Sequence, residues 1–248
     1  MIFVIVRIFI RIFAWFDLLL FTILAYLLSW LPQSWLKSFY HPIFRFWCQI
    51  FVRALGVDLE LQEKNVKPLP KQYILIANHP SAFEDVGIPA LFNVKSVAKH
   101  EVASWFIVGR ISTASGSIYV KRDEPESRHL ATDAIKKALH EGHSIVIYPE
   151  GGCKGRRLYK TFQYGAFDIS MQTGIPIVPV FLHYEAQEDF EWSNQYLVTK
   201  FWQFMTAKDN RATYYVFDAL NPHEFKSKEE YMEHTYQQYL AWQKKYLE

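Results

Sequence analysis

The chain has 248 residues, with 27 Lys and Arg against 25 Asp and Glu. A formal charge of +2 carries no nucleic-acid signal. Two distant cysteines, Cys48 and Cys153, make neither a disulfide framework nor a metal pattern and suit reduced thiols facing a cytosol. Half of the residues are hydrophobic and 17% are aromatic, which suits one domain with a small appendage and a wide interfacial surface, because aromatic rings favour the membrane–water boundary.

Residues 1–57 stand apart as a helical membrane anchor, part hydrophobic and part amphipathic. They hold five basic residues (Arg7, Arg11, Lys37, Arg45 and Arg53) against one acid, Asp17. Segment 12–31 is nearly all apolar and, as a helix, spans about 30 Å, enough to cross a hydrocarbon core. Pro32 then breaks the run. Segment 35–55 mixes Phe39, Phe44, Trp47, Phe51 and Leu55 with Lys37, Arg45 and Arg53, as a helix lying in the interface would, its cations reaching the headgroups. No small-x-small site follows, which argues against a cleaved signal peptide. Cations flank the apolar run on both sides, so a spanning helix and a hairpin dipped into one leaflet both stay open. Asp17, costly deep in lipid, favours the shallower position.

Residues 58–248 read as an α/β domain, a mixed and largely buried sheet flanked by helices. Apolar runs at 73–77, 94–98, 117–120, 144–148, 176–182 and 214–217 predict strands. Segment 127–141 predicts a helix with a stripe of Leu130, Ala134, Ile135, Ala138 and Leu139, ended by Gly142. A second helix covers 162–172, and Ser227 with Glu230 has the capping-box spacing for a C-terminal helix through Leu247.

Three motifs carry chemistry. The run Asn78-His79-Pro80-Ser81-Ala82-Phe83-Glu84-Asp85 follows a strand directly, and Pro80 suits the first position of a helix. That puts His79 at a strand-to-helix junction with two carboxylates close behind it. An acid that fixes the imidazole tautomer and stabilises the imidazolium makes a general base. The plain alternative is a structural His in a cap or ion pair. Next, Gly116 to Arg122 ends a strand in two cations, Lys121 and Arg122, which can hold a phosphate or simply pair with Asp123, Glu124 and Glu126. Third, Tyr148-Pro149-Glu150-Gly151-Gly152-Cys153-Lys154-Gly155-Arg156-Arg157 sets three glycines among three cations after a buried strand. This is either an anion-binding loop or a surface loop with a basic tip. Cys153 is weighed as a nucleophile and set aside, because no His adjoins it in sequence and the His79 pair needs no covalent step.

Together, in this order and spacing, the blocks at about 73–180 resemble the glycerolipid acyltransferase family, whose best-known members acylate glycerol 3-phosphate and lysophosphatidic acid. The family shows Asn-His-x4-Asp, Gly-x-x-Phe-Ile-x-Arg, Phe-Pro-Glu-Gly-Thr-Arg and Val-Pro-Val. Here they read Asn78-His79-x4-Glu84, Gly116 to Arg122, Tyr148-Pro149-Glu150-Gly151-Gly152 and Val178-Pro179-Val180. Lys99-His100-Glu101 and the segment from Phe162 to Phe167 also fall where the family has related segments, and the N-terminal anchor fits its habit. Glu84 stands where the family usually has Asp, with Asp85 in reserve. Gln163-Tyr164 replaces a frequent lysine pair.

The resemblance implies transfer of a fatty acyl group from acyl-CoA or acyl carrier protein to the free hydroxyl of a lysophospholipid, 1-acylglycerol 3-phosphate first and another lysophospholipid or an amino-acid lyso-lipid as the alternative acceptor, on the cytoplasmic side of a membrane. No cofactor and no metal are expected. His79 takes the hydroxyl proton, held by Glu84 or Asp85. Arg122 and Lys121 bind the acceptor phosphate. Glu150, Gly151 and Gly152 line the site, and, with the loop reading Gly-Gly-Cys-Lys where the family commonly has Gly-Thr-Arg, phosphate recognition also falls to Lys154, Arg156, Arg157 or Lys160. Backbone N–H groups in that loop or near His79 are expected to stabilise the oxyanion. Two other readings stand beside this one: an inactive lipid-binding homologue, and a thioesterase or lipase. The latter lacks a Gly-x-Ser-x-Gly elbow.

Overall fold

Short apolar runs bounded by turn residues become strands covered on both faces, and longer amphipathic runs become the helices that cover them. The computed structural model describes residues 2–192 and 196–248. Helices α1 (Ile2–Leu28) and α2 (Gln33–Leu55) lead into β1 (Asp58–Glu63), β2 (Ile74–Ala77), α3 (Glu84–Leu91) and β3 (Val94–Lys99). Then come α4 (Val108–Ala114), β4 (Ile118–Val120), α5 (Pro125–His140), β5 (Ser144–Ile147), α6 (Gly165–Thr173) and β6 (Ile177–Tyr184). The chain closes with α7 (Gln187–Phe190), α8 (Leu197–Thr206), β7 (Arg211–Val216) and α9 (Lys228–Tyr246).

The strands form one mixed sheet in the order β1-β7-β6-β2-β5-β3-β4, parallel throughout except where β6 meets β7. β2 and β6 are buried at every residue, as a sheet covered on both faces requires. Pro179 breaks the usual rule against proline inside a central strand. It stands opposite Ile76 and has no N–H to give. The Tyr239 hydroxyl on α9 fills the gap, donating to Ile76 O at 2.9 Å and accepting from Val180 N at 3.1 Å. The C-terminal helix is thereby bolted to the strand that leads to His79. Its own start is set by Ser227, whose hydroxyl accepts from Glu230 N.

Several expectations shift. No helix begins at Pro80; α3 starts at Glu84, so a six-residue loop, 78–83, carries His79 out of β2. The 162–172 helix starts at Gly165. Leu130 is exposed, and Ala131 joins Ile135, Ala138 and Leu139 on the inner face of α5. In segment 35–55, Phe44, Trp47 and Phe51 turn inward into the core shared with the α/β part instead of facing lipid. Arg45 does not reach for headgroups. Its guanidinium donates to Pro89 O and Leu91 O, and Gln49 donates to Ala90 O, which satisfies the open carbonyls at the end of α3. α2 ends in a Schellman turn: Gly56 takes φ 69°, and Val57 N–H reaches back to Val52 O. The segment Phe9–Leu28 of α1 is long and apolar enough to cross a hydrocarbon core and is only 17% buried, so most of its apolar face is open.

Candidate active site

In a parallel sheet, the loops leaving the carboxyl ends of neighbouring strands converge on one edge. His79 follows β2, the Tyr148 loop follows β5 beside it, and Tyr184 ends β6 on the other side. Arg122 follows β4, two strand spacings from β5, roughly 10 Å. A long side chain crosses that gap.

His79 is buried, and its Nδ1 lies 2.9 Å from Glu84 Oε2. Glu84, fully buried, also accepts from Ser81 N at 3.1 Å and from the Tyr184 hydroxyl on its other oxygen at 2.5 Å. Burial pushes the Glu84 carboxyl up; the hydrogen bonds from Tyr184 and Ser81 and the nearby Lys200 ammonium oppose that. Three donors aimed at it suit the ionised form, which in turn keeps the imidazole proton on Nδ1 and leaves Nε2 free to accept. Burial pushes His79 below its ordinary value, and Asp85 and Glu150 oppose that shift. The ring stacks on Tyr148, centroids 4.0 Å apart and planes within 10°. Tyr184 is held by Tyr214, and Gly87 is what lets α3 lie there: a Cβ at 87 would sit 2.4 Å from the Tyr214 hydroxyl oxygen.

The glycine loop closes over the free side of the imidazole. Cys153 Sγ lies 3.3 Å from His79 Nε2 and 3.3 Å from Ser81 O. Arg122 Nη1 donates to Gly151 O at 2.5 Å, and a Cβ on Gly152 would come within 2.9 Å of the same nitrogen. A buried acid, a buried imidazole, a thiol and a guanidinium thus share one edge of the sheet.

The acyltransferase family model matches residues 58–183, more than half of the chain. The chain belongs to the acyltransferase family. Lysophosphatidylcholine acyltransferase 2 of Mus musculus is 29% identical over 165 residues, 63% of this chain and 29% of that one. Lyso-ornithine lipid O-acyltransferase of Rhodobacter capsulatus is 29% identical over 148 residues, 57% of this chain and 51% of that one. This acyltransferase therefore spans under a third of the mouse protein's length and about half of the bacterial one's. The crystal structure of the 1-acyl-sn-glycerophosphate acyltransferase from Thermotoga maritima shares the fold, with a TM-score of 0.58 at 16% identity, covering 94% of this chain and 92% of that one.

Within this acyltransferase the sequence-predicted residues part company. His79, Glu84, Arg122, Gly151 and Gly152 come together. Asp85, in reserve as partner, is exposed on the first turn of α3, and among the described residues no hydrogen bond joins its carboxylate to the ring. Lys121 pairs with Glu124 at 3.1 Å on the surface. Arg156 pairs with Glu188 and Glu191, and Arg157 with Glu248. Lys154 lies exposed over the Tyr159 ring. Glu150 is buried and ties the loops, accepting from His79 N at 2.8 Å and from Tyr159 N at 2.9 Å. With the His79 and Ser81 N–H groups donating to Glu150 and Glu84, these two are not the oxyanion donors expected near His79. Asn78 bridges β2 to β6 through both Leu182 backbone groups.

The contribution of Tyr184, Tyr148 and Lys200 went unread in the sequence, and so did the position of Cys153. A separate cavity of about 280 Å³, lined by Ser29, Trp105, Phe106 and Arg110 among others, holds none of the predicted site residues.

Proposed function

We propose that this acyltransferase moves a fatty acyl group from a thioester of coenzyme A or acyl carrier protein to the free hydroxyl of a lysophospholipid, with 1-acylglycerol 3-phosphate as the leading acceptor. The observation that carries this is the buried His79–Glu84 pair at 2.9 Å, whose Nε2 faces the glycine loop. His79 takes the hydroxyl proton as the oxygen attacks an acyl thioester, and Glu84 stabilises the imidazolium. The leaving thiol has a pKa of about 8.5 and needs little acid assistance. Arg122 is the cation beside this site and the proposed phosphate ligand. Residues 1–57 act as the membrane anchor, with the open face of α1 in the bilayer, and residues 58–248 as the acyl-transfer domain on the cytoplasmic side.

A second reading of the acceptor has its own support. Arg156 and Arg157 are already neutralised by acids, which leaves the site less positive than the loop sequence implied. That favours a zwitterionic or amino-acid lyso-lipid, in line with the names of the relatives matched. Purified chain in phospholipid vesicles is assayed with radiolabelled palmitoyl-coenzyme A and palmitoyl-acyl carrier protein against lysophosphatidic acid, lysophosphatidylcholine and lyso-ornithine lipid. Acylation of one or more acceptors is expected. Release of free fatty acid alone, or no turnover with any pair, defeats the proposal.

A further inference from the structure

Arg110, on α4, meets the end of the apolar helix α1. Its guanidinium lies over the Trp30 ring, 3.5 Å from the centroid, and Nη2 donates to Ser29 O at 3.3 Å. A guanidinium offers five N–H donors. Among the described residues no carboxylate pairs with this one, and its buried Nε–H has no acceptor. Glu101, the acid of the adjoining turn His100–Ser104, is taken by Lys99 at 3.2 Å. A half-buried cation with open donors suits an anion, and a guanidinium takes phosphate oxygens in pairs.

The cavity of about 280 Å³ beside Arg110 bears on what else the anion carries. Ser29 and Ser104 line it, and each Oγ already donates to a backbone carbonyl, Tyr26 O and Glu101 O, both at 2.6 Å. These oxygens remain as acceptors, which suits hydroxyl donors on the ligand. The volume suits a headgroup and not the chains of a lipid. The chains have a place outside. The apolar segment Phe9–Leu28 ends one residue before Ser29 with most of its face open. Trp30, Trp105 and Phe106, the last 80% exposed, stand beside the cavity, as aromatic side chains do at the headgroup level of a bilayer.

We propose that this cavity holds the headgroup of an anionic bilayer lipid of the phosphatidylglycerol kind, with Arg110 on the phosphate and Ser29 and Ser104 on the headgroup hydroxyls. The lipid is a bound partner distinct from donor and acceptor, because the cavity holds none of the residues around His79. It ties the seam between α1 and α4 at the depth where hydrocarbon gives way to headgroups. A choline headgroup brings no hydroxyl donor, and among the described residues no acid lines the cavity to meet its cation. This rests on the reading of α1 as the membrane anchor.

The full chain is bound to phosphatidylcholine vesicles with and without phosphatidylglycerol, extracted in mild detergent and weighed by native mass spectrometry. Wild type should retain one phosphatidylglycerol, and its unfolding temperature should be higher when that lipid is present. Arg110→Gln should cut retention by about 10-fold or more and lose the rise. Because Arg110 also holds Ser29, Ser104→Leu serves as a second variant. It crowds the cavity from an exposed position, leaves Arg110 in place and should lose retention too. Both variants should float with vesicles as wild type does. Undiminished retention in both folded variants overturns the site. So does equal retention of phosphatidylcholine, or the same rise in unfolding temperature from added inorganic phosphate alone. A wild type that floats with vesicles yet keeps no phosphatidylglycerol overturns the site and leaves the anchor standing. One that floats with neither vesicle overturns the anchor reading and the site with it.

Discussion

Glu84→Gln keeps the size of the side chain and removes the negative charge beside His79. The amide oxygen can still accept from His79 Nδ1 and Ser81 N, and the amide NH2 can donate to the Tyr184 hydroxyl, so the fold should survive. What goes is the attraction between carboxylate and imidazolium, groups that touch at 2.9 Å. With charge centres about 4 Å apart and an effective dielectric of about 20, that attraction is about 4 kcal/mol. At about 1.36 kcal/mol per tenfold, acyl transfer should slow by about 10³-fold. Initial rates with labelled thioester measure this, and thermal unfolding by circular dichroism checks that the variant is folded. A folded Glu84→Gln within a few-fold of wild type would refute the reasoning.

Because burial lowers the His79 pKa, kcat/KM should fall only as pH drops below the ordinary histidine range of about 6.5. The unfolded imidazole binds its proton more tightly than the native one, so stability should also decline as pH falls through about 6.5. An acid-limb midpoint well above that value contradicts the placement. Arg122→Ala should lower kcat/KM for a phosphate-bearing acceptor by roughly 10- to 100-fold, from a lost charge-assisted bond of about 1.5–3 kcal/mol, with donor KM little changed. Unchanged acceptor dependence removes Arg122 from the site. Tyr239→Phe should cost about 1–3 kcal/mol in thermal unfolding, because Ile76 O and Val180 N lose their partner; no measurable loss contradicts the account of Pro179.

Much of this was legible along the chain. The apolar runs behind β2, β5 and β6 are buried strands because both faces are covered, and continuous hydrophobicity announces that. The His79–Glu84 pair is local, five positions apart, so spacing alone brings it within reach. Contacts made across the sheet were not legible. Cys153 meets His79 across 74 positions, and Tyr184 meets Glu84 across 100, through the adjacency of β2 with β5 and β6 that no local pattern encodes. The same holds for the loop cations. Arg156, Arg157 and Lys121 read alike in sequence with Arg122, and only the fold shows which of them faces an acid and which faces the glycine loop. In α2, periodicity identified an amphipathic helix correctly but not its partner, because a face that suits lipid also suits a protein core.

The proposed acyl transfer turns on a single imidazole drawing a proton from a lipid alcohol. His79→Ala, reconstituted in vesicles with its best donor and acceptor, should lose acyl transfer by about 10²- to 10⁴-fold or more while unfolding at a temperature close to wild type. Near-normal turnover by that folded variant would contradict it.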